Sequence, residues 1–218
     1  MQQSKFVLNA VNSVANQLFL ELREKESQLS RRTFKSNLEK LGQIMAYELS
    51  KSLEYKQTTV ETVLGESSIN IIKEHPVLFT IIRAGLPFLD GFQHYFDQSD
   101  CGFIGAHRTE GKKEDIQISL GYQSIAAFDG KELIIVDPML ATGNSLMASL
   151  EVILKKGTPK MLHLVFAVAS PEGIEKIKQS VKVPYRLWIG AVDEGLNQKG
   201  YIVPGLGDAG DLIFGTKI

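Results

Sequence analysis

The chain has almost no cysteine and almost no net charge. Cys101 is the only cysteine, so no internal disulfide can form, and we expect it to be a small buried apolar residue. The 24 Lys and Arg residues nearly balance the 25 Asp and Glu residues, which gives a formal net charge of −1. No overall field therefore attracts nucleic acid or an anionic membrane, and any anion site must be local.

Long apolar runs are also missing. No run of 18 apolar residues occurs, so we expect no membrane-spanning helix. The N-terminal stretch does not look like a signal peptide, because Asn9, Asn12 and Asn16 interrupt its apolar region. These features predict a cytoplasmic protein that acts without a membrane or nucleic acid. The sequence shows no internal repeat, low-complexity tract or linker, which predicts one domain over residues 1–218.

Two apolar stripes with helical spacing open the chain. The first predicts a helix and consists of Val7, Val11, Val14, Leu18 and Leu22. The second runs from Phe34 to Leu53 after a charged turn, with Ser30 or Thr33 as its cap. We expect this helical part, residues 1–55, to cover a sheet or a neighbouring subunit and to carry no chemistry.

From residue 57 onward, short apolar runs alternate with helical patterns. The runs predict strands at TTVETV (58–63), VLFTII (77–82), ELIIV (132–136) and MLHLVFAVA (161–169). The last three are nearly continuous, which is typical of strands buried on both faces of a parallel sheet. Helices are predicted at 86–96, at 145–157 with Gly157 as a stop, and at 171–180 with Pro171 at its start. The alternation favours an α/β fold with a mainly parallel central sheet flanked by helices.

Two segments do not fit this alternation. Residues 106–124 are polar, charged and alternating, which predicts a β-hairpin standing off the sheet. Residues 200–217 contain five glycines and two aspartates, yet their apolar side chains predict burial. The histidines have no metal-ligand spacing, and we expect His163 and Trp188 to be structural.

The stretch VDPMLATGNS (136–145) joins a buried strand to a helix. Asp137 ends the apolar run, where open α/β sheets bind their ligands. The small and hydroxylated residues after it would let an anion approach the N–H groups of the helix's first turn. No P-loop motif is present, so the pattern indicates a phosphate cradle without a lysine, beside a carboxylate suited to ribose hydroxyls. A plain βα turn with a capping Thr or Ser remains the alternative.

Three motifs carry a family resemblance. They are IIRAGLPFLDG (81–91), VDPMLATGNS (136–145) and YIVPGLGDAGD (201–211), and LREKESQLSRRTF and MAYELSKSL add to them near the N-terminus. Together they resemble the uracil phosphoribosyltransferase family over roughly residues 20–217. The resemblance implies the type I phosphoribosyltransferase fold with a C-terminal base-binding segment. It also implies a pyrimidine-salvage reaction, in which uracil and phosphoribosyl diphosphate (PRPP) give UMP and diphosphate.

The same resemblance assigns residues to PRPP. Arg83 and Gly85 would bind its diphosphate, and Arg108 would close over it on a hairpin that acts as a lid. Asp137 would bind the ribose hydroxyls. The remaining residues assigned to PRPP are Pro138, Met139, Leu140, Ala141, Thr142, Gly143, Asn144, Ser145 and Asp208. Arg83, Asp137 and Asp208 would take part in catalysis.

Uracil would be read by the C-terminal segment through Ile202, Gly207, Asp208 and Ala209. Mg²⁺ would be held mainly through the PRPP diphosphate and waters, without a metal site built by the protein. We expect a homodimer or a higher homo-oligomer, because the N-terminal helices and the C-terminal stretch offer surplus apolar surface. GTP is a candidate effector, since some members of the family respond to nucleotides.

Three departures from the family pattern leave alternatives open. Asn144 replaces a glycine of the family's Gly-Gly-Ser, and Leu212 replaces an arginine. The hairpin reads Arg108-Thr109-Glu110-Gly111-Lys112 in place of Arg-Asp-Pro-Glu-Thr. The chain could therefore prefer another base, or it could be a catalytically weak or inactive regulator that binds PRPP or UMP.

Overall fold

The computed structural model describes residues 4–108 and 118–216. The strands are β1 (Lys5–Val7), β2 (Tyr55–Thr62), β3 (Gly65–Ile72), β4 (Val77–Ile82), β5 (Cys101–Arg108), β6 (Ile118–Ser124), β7 (Glu132–Leu140), β8 (Met161–Ala169), β9 (Tyr185–Val192), β10 (Gly195–Leu196) and β11 (Ile202–Val203). The helices are α1 (Ala15–Arg23), α2 (Lys25–Gln28), α3 (Arg31–Ser50), α4 (Leu86–Gln93), α5 (Asn144–Leu154), α6 (Pro171–Ser180) and α7 (Ala209–Phe214).

The central sheet has seven strands in the order β1-β9-β8-β7-β4-β5-β6. Every neighbouring pair is parallel except β5 and β6, which confirms the predicted mainly parallel α/β fold. Going along the chain, β5 lies on one side of β4, and β7, β8 and β9 lie on the other. Strand order therefore reverses between β4 and β7, and ligands of open α/β sheets bind at such a reversal.

Helices cover both faces of the sheet. One core contains apolar side chains of α1, α3, α4 and α7, and the other contains those of α5 and α6. Strand β8 lies between these layers, and all its residues from Leu162 to Ala169 are buried. The continuous apolar runs of the sequence thus correspond to strands buried on both faces, as predicted.

The helix predicted from Val7 to Leu22 is wrong in its first half. Residues Lys5–Val7 form β1, which pairs in parallel with Leu187–Ile189 of β9. Helix α1 begins only at Ala15, and the side chains of Val11 and Val14 are 68% and 77% exposed. The valine spacing suits a helix, but pairing with a distant strand decides the structure of these residues. The second helix is confirmed as α3, whose cap Ser30 accepts a hydrogen bond from the N–H of Thr33 at 3.2 Å.

The strand predicted at 58–63 lies outside the central sheet. It belongs to β2, which pairs only with β3 in an antiparallel hairpin, here called the arm. Both strands of the arm are largely exposed. Val63 and Leu64 form its tip and are 100% and 97% exposed.

The hairpin predicted at 106–124 begins in the central sheet and continues past β4, because the β4–β5 pairing ends at Gly105 while Ala106–Arg108 pair with β6. Strands β5 and β6 pair antiparallel as predicted, but β5 also pairs in parallel with β4, so both strands form one side of the central sheet. The buried Gly102 and Ile104 explain this position, because they extend β5 into the core ahead of the polar residues. The tip of the hairpin, residues 109–117, lies outside the described residues, as does residue 217 of the C-terminal segment. Across the described ranges, no helix is long and apolar enough to cross a membrane.

Candidate functional site

Three strands end together at one edge of the sheet. Thr80 of β4 is level with Val136 of β7, and its hydroxyl donates to the Val136 carbonyl at 2.8 Å. Ile82 of β4 is level with Gly105 of β5. Arg83 therefore follows the carboxyl end of β4, as the sequence predicted, while Asp137 and the backbone of Arg108 lie near the carboxyl ends of β7 and β5. The side chain of Arg108 falls outside the described part of the chain.

Asp137 lies within β7 and not after it, because this strand continues beyond the predicted end to Leu140. Its carboxylate is partly buried, and Oδ1 accepts a hydrogen bond from the Met139 N–H at 3.2 Å. Burial raises the pKa of Asp137 to about 7, and the Met139 hydrogen bond opposes this rise. The carboxyl group can therefore gain or lose a proton near neutral pH, and donors from a ligand would favour its ionised form.

The loop in the predicted cradle of residues 138–145 is shorter than expected. Residues 138–140 belong to β7, and Asn144 and Ser145 begin α5, which leaves residues 141–143 between them. Gly143 has a φ of 75°, a left-handed conformation that favours glycine, and it turns the chain into α5. Residues 139–146, together with Asp137 and Phe166, line a cavity of about 60 Å³. N–H groups of the first turn of α5 lack helical acceptors and suit an anion.

The start of α6 holds this loop in place. Ser170 caps α6, and its N–H donates to the Leu140 carbonyl at 2.9 Å. Its hydroxyl donates to the Ala141 carbonyl at 2.7 Å and accepts from the Gly173 N–H at 3.0 Å. Contacts from the start of α6 thus hold the backbone of Leu140 and Ala141, so the loop is already ordered without a ligand.

Arg83 lies in the turn between β4 and α4. Its Nη2 donates to Asp211 Oδ1 at 3.0 Å, and both Nη atoms lie 3.4 Å from the Gly215 carbonyl. Its Nε is buried and has no hydrogen-bond partner among the described residues. The N–H of Gly85 already donates to the Ile81 carbonyl at 3.2 Å. The guanidinium of Arg83, and not the amide of Gly85, is therefore the donor suited to an anion here.

The C-terminal segment lies against Arg83. Asp208 is exposed and caps α7, with Oδ1 accepting from the Asp211 N–H at 3.1 Å. A methyl group built on Gly210 would lie 3.3 Å from Asp208 Oδ1 and 3.8 Å from Arg83 Nη2, so both side chains flank one position. Gly207 is also exposed. Ile202 and Ala209 are buried, so neither residue presents its side chain at the surface.

Sequence reasoning missed the residues that anchor this segment. Arg23 of α1 binds Asp193 through both Nη atoms, at 2.7 and 3.0 Å. Asp193 in turn accepts from the Gly205 N–H at 2.9 Å. Gln28 donates to the Leu206 carbonyl at 3.0 Å. The N-terminal helices therefore position residues 205–206, and the only signal was the similarity of LREKESQLSRRTF to the family.

The predicted site residues thus fall into two groups. Asp137 and the cradle lie at the end of β7, and Arg83 lies with Asp208 and α7 at the end of β4. Within the described residues, no group of three or more His, Cys, Asp or Glu side chains could hold a metal ion. His163 is buried and accepts from Trp188 Nε1 at 3.0 Å, in agreement with its expected structural role. Together the two groups offer the guanidinium of Arg83, the carboxylates of Asp137 and Asp208, and the N-terminus of α5 at the carboxyl edge of the sheet.

Comparison with known proteins gives a consistent result. The family model described as uracil phosphoribosyltransferase matches residues 12–216. A uracil phosphoribosyltransferase of Porphyromonas gingivalis is 39% identical over 211 residues, which is 97% of this chain and 98% of the relative. One from Pyrococcus furiosus is 38% identical over 206 residues, 93% of this chain and 86% of the relative.

Solved structures agree with the sequence relatives. A protein of Aquifex aeolicus superposes with a TM-score of 0.86 at 32% identity, over 98% of this chain and 100% of that one. A hypoxanthine phosphoribosyltransferase of Staphylococcus aureus has a TM-score of 0.50 at 13% identity, over 79% and 85% of the two chains. The second likeness concerns the fold alone, and it agrees with the type I phosphoribosyltransferase fold.

Proposed function

The chain belongs to the uracil phosphoribosyltransferase family, and we propose which of its residues carry the reaction of that family. The reaction transfers the 5-phosphoribosyl group of PRPP to uracil and gives UMP and diphosphate. The bond from ribose C1′ to the diphosphate oxygen breaks, and a bond from C1′ to N1 of uracil forms. The transition state resembles an oxocarbenium ion, so the protein contributes mainly positioning and charge stabilisation.

PRPP would bind across the two halves of the site. The cradle at residues 141–145 would receive the 5′-phosphate, because small residues and free N–H groups suit an anion there. Asp137 would accept hydrogen bonds from the ribose hydroxyls, which compensate a carboxylate that burial otherwise disfavours. Arg83 would bind the diphosphate through its guanidinium, whose Nε has no partner among the described residues.

Uracil would bind beside Arg83 on the C-terminal segment. The exposed backbone at Gly207 and the neighbouring backbone of Ile202 and Ala209 would read the polar edge of the base. Asp208 flanks the same position as Arg83, which supports a role for its carboxylate between the base segment and the diphosphate end. Arg83, Asp137 and Asp208 are therefore the residues that we assign to the reacting groups.

Magnesium fits this arrangement as a companion of PRPP. Mg²⁺ keeps several waters and takes few protein ligands, and the site offers Asp137 and Asp208 as carboxylates, while the nearby Asp211 already pairs with Arg83. When bound with PRPP, the ion would neutralise negative charge on the departing diphosphate. The two aspartates would contact its waters, and PRPP would supply its direct ligands.

We also propose a homodimer or larger homo-oligomer in the cytoplasm. The arm is a lone two-stranded hairpin, and such hairpins are marginally stable in water. Its tip presents the exposed Val63 and Leu64, which a second copy of the chain would cover. GTP remains a proposed effector on family grounds, and addition of GTP to the assay below tests it.

One observation carries the residue assignment: Arg83 follows β4, Asp137 lies near the carboxyl end of the adjoining β7, and Asp208 flanks the same position as Arg83. The test is turnover of labelled uracil to UMP with PRPP and Mg²⁺, with cytosine, hypoxanthine and orotate as control bases. We expect turnover with uracil alone and its loss on chelation of Mg²⁺. A folded protein that binds UMP without turnover, or that uses another base, would contradict the proposal.

A further inference from the structure

Lys176 of α6 lies at the phosphate cradle, where the sequence predicted no lysine. Its ammonium donates to Oδ1 of Asn144, the first residue of α5. A methyl group built on Gly143 would lie 3.5 Å from Lys176 Cδ, so the side chain passes directly beside the loop. The lysine reaches a loop that lies 32 residues away from it along the chain.

One face of α6 packs against the loop at residues 141–144. Ser170, Gly173 and Lys176 follow each other at spacings of three, and residues at this spacing share a helix face. Ser170 donates to the Ala141 carbonyl, and a methyl group on Gly173 would collide with that same carbonyl. The close packing at Gly173 fixes the distance between α6 and the loop. It therefore also fixes where the side chain of Lys176 can reach.

Within the described ranges, no carboxylate forms an ion pair with Lys176. The lysine lies instead at the N-terminus of α5, the positive end of the helix dipole, where a cation is unfavourable. A dianionic phosphate at the same place would offset both the ammonium and the dipole.

Asn144 determines how the lysine is presented. An ammonium can only donate hydrogen bonds, so the amide must turn Oδ1 towards it. Nδ2 then has two N–H groups and no acceptor among the described residues. A glycine at this position, as in the family's Gly-Gly-Ser, would provide neither the tether nor the additional donor.

We propose that Lys176 and Asn144 form an additional phosphate-binding pair for the 5′-phosphate of PRPP and UMP. This inference rests on the proposed function of the cradle. The Lys176 ammonium supplies the positive charge that the loop itself lacks, and Asn144 holds that ammonium and adds an amide donor. The substitution of glycine by Asn144 is then a functional exchange and not a loss of the loop.

The test compares Lys176→Met with Lys178→Met. Lys178 lies two residues further along the same helix, is exposed and pairs with Glu175, so it is a matched control. We expect Lys176→Met to raise the Kd of UMP and the KM of PRPP about tenfold, as for one charged hydrogen bond, and to leave the KM of uracil unchanged. Its UMP affinity should also depend less steeply on salt concentration than that of the wild type.

Two further variants separate contact from folding. Lys176→Arg keeps the charge and should retain UMP binding to within about threefold. In an Asn144→Gly background, Lys176→Met should have a smaller effect, because the tether is already gone. Unchanged UMP affinity in Lys176→Met, or an equal loss for uracil, would overturn the proposal. If the wild type neither turns over uracil nor binds UMP, the proposed function itself fails.

Discussion

The guanidinium of Arg83 and the carboxylate of Asp211 are 3.0 Å apart, and this pair joins the turn after β4 to helix α7. The two side chains are each about one third exposed, so the pair contributes little to stability. Its position matters more, because it connects the proposed diphosphate site to the uracil segment. A ligand that binds Arg83 would therefore change the contact between Arg83 and Asp211, and with it the support of the segment that we propose to contact the base.

Arg83→Gln should lower kcat/KM for PRPP by about 10²-fold, because the charged donor for the leaving diphosphate is lost. The kcat/KM of Arg83→Lys for PRPP should lie between the values of the wild type and Arg83→Gln, because lysine keeps the charge but lacks the planar guanidinium that binds phosphate through two hydrogen bonds. Steady-state kinetics with PRPP as the varied substrate measures both. Arg32→Gln is the control, because Arg32 is exposed on α3. Full activity in Arg83→Gln would exclude Arg83 from diphosphate binding.

Asp137→Asn separates catalysis from stability. Burial raises the pKa of Asp137 to about 7 in the native state, above its unfolded value, so the native state holds the proton longer. The stability of the free protein therefore falls as pH rises from about 4 to about 7, and the cost is complete above that window. Asn carries no charge and removes this cost. At about pH 8 we expect the variant's free energy of unfolding to exceed that of the wild type by about 1–3 kcal/mol.

The same variant should lose turnover by about 10²-fold, because an amide is a weaker acceptor for ribose hydroxyls than a carboxylate. Urea denaturation at several pH values, without ligand, measures the first effect, and uracil turnover measures the second. Equal stability of both proteins across the window would contradict the raised pKa. Unchanged turnover would remove Asp137 from the ribose role.

Asp208 has a capping contact and a proposed role in catalysis, and substitutions can separate the two. Its side chain caps α7, so Asp208→Ala should cost about 1 kcal/mol of stability in addition to activity. Asp208→Asn can still accept the hydrogen bond from the Asp211 N–H and should keep the fold. We expect it to lower kcat/KM for uracil by about tenfold or more, since the carboxylate is lost. Thermal denaturation of both variants measures the loss of stability, and steady-state kinetics measures the loss of activity. A fully active Asp208→Asn would mean that Asp208 only caps α7 and takes no part in the reaction.

Some of this site follows directly from the sequence. Asp137 ends an apolar run, and Arg83 follows the run VLFTII, so both had to lie at the carboxyl edge of a parallel sheet. Pro171 marks the start of α6, where the structure has it. These signals are local, because they depend on the buried strand and the helix start themselves.

The remaining features depend on partners that are far away along the chain. The spacing of Val7 predicts a helix, but in the structure Val7 pairs in parallel with β9. The strand at 55–62 pairs with the largely exposed β3, whose residues GESSINII give little apolar signal for a strand. The Lys176 contact with Asn144 joins two helices whose patterns were both predicted, but no periodicity reveals which side chains meet.

The tip of the arm tests the proposed homo-oligomer. Val63→Ser with Leu64→Ser removes two exposed apolar side chains and should shift a dimer or larger assembly towards the monomer. Light scattering coupled to size exclusion, over a range of protein concentrations, measures the mass. Glu61→Ser with Glu66→Ser changes exposed polar residues of the same arm and should leave the mass unchanged. A wild-type protein that is monomeric and fully active would contradict the proposal.

Arg23 should affect uracil more than PRPP, although it lies in α1. It binds the carboxylate of Asp193 through both Nη atoms, and that carboxylate holds the Gly205 N–H at 2.9 Å. Arg23→Met leaves a largely buried Asp193 without its cation, which we expect to cost about 2 kcal/mol of stability. The backbone at Gly205 then loses its support from α1, just before the segment that we propose to contact the base.

We therefore expect the KM of uracil to rise about tenfold in Arg23→Met, while the KM of PRPP changes by less than about threefold. Kinetics at a temperature where the variant is fully folded by circular dichroism gives the comparison. Lys25→Met is the control, since Lys25 is exposed in the adjoining α2. An equal rise for both substrates would mean that Arg23 supports the fold as a whole. A selective rise for uracil would mean that the N-terminal helices, predicted to carry no chemistry, position the base-binding segment.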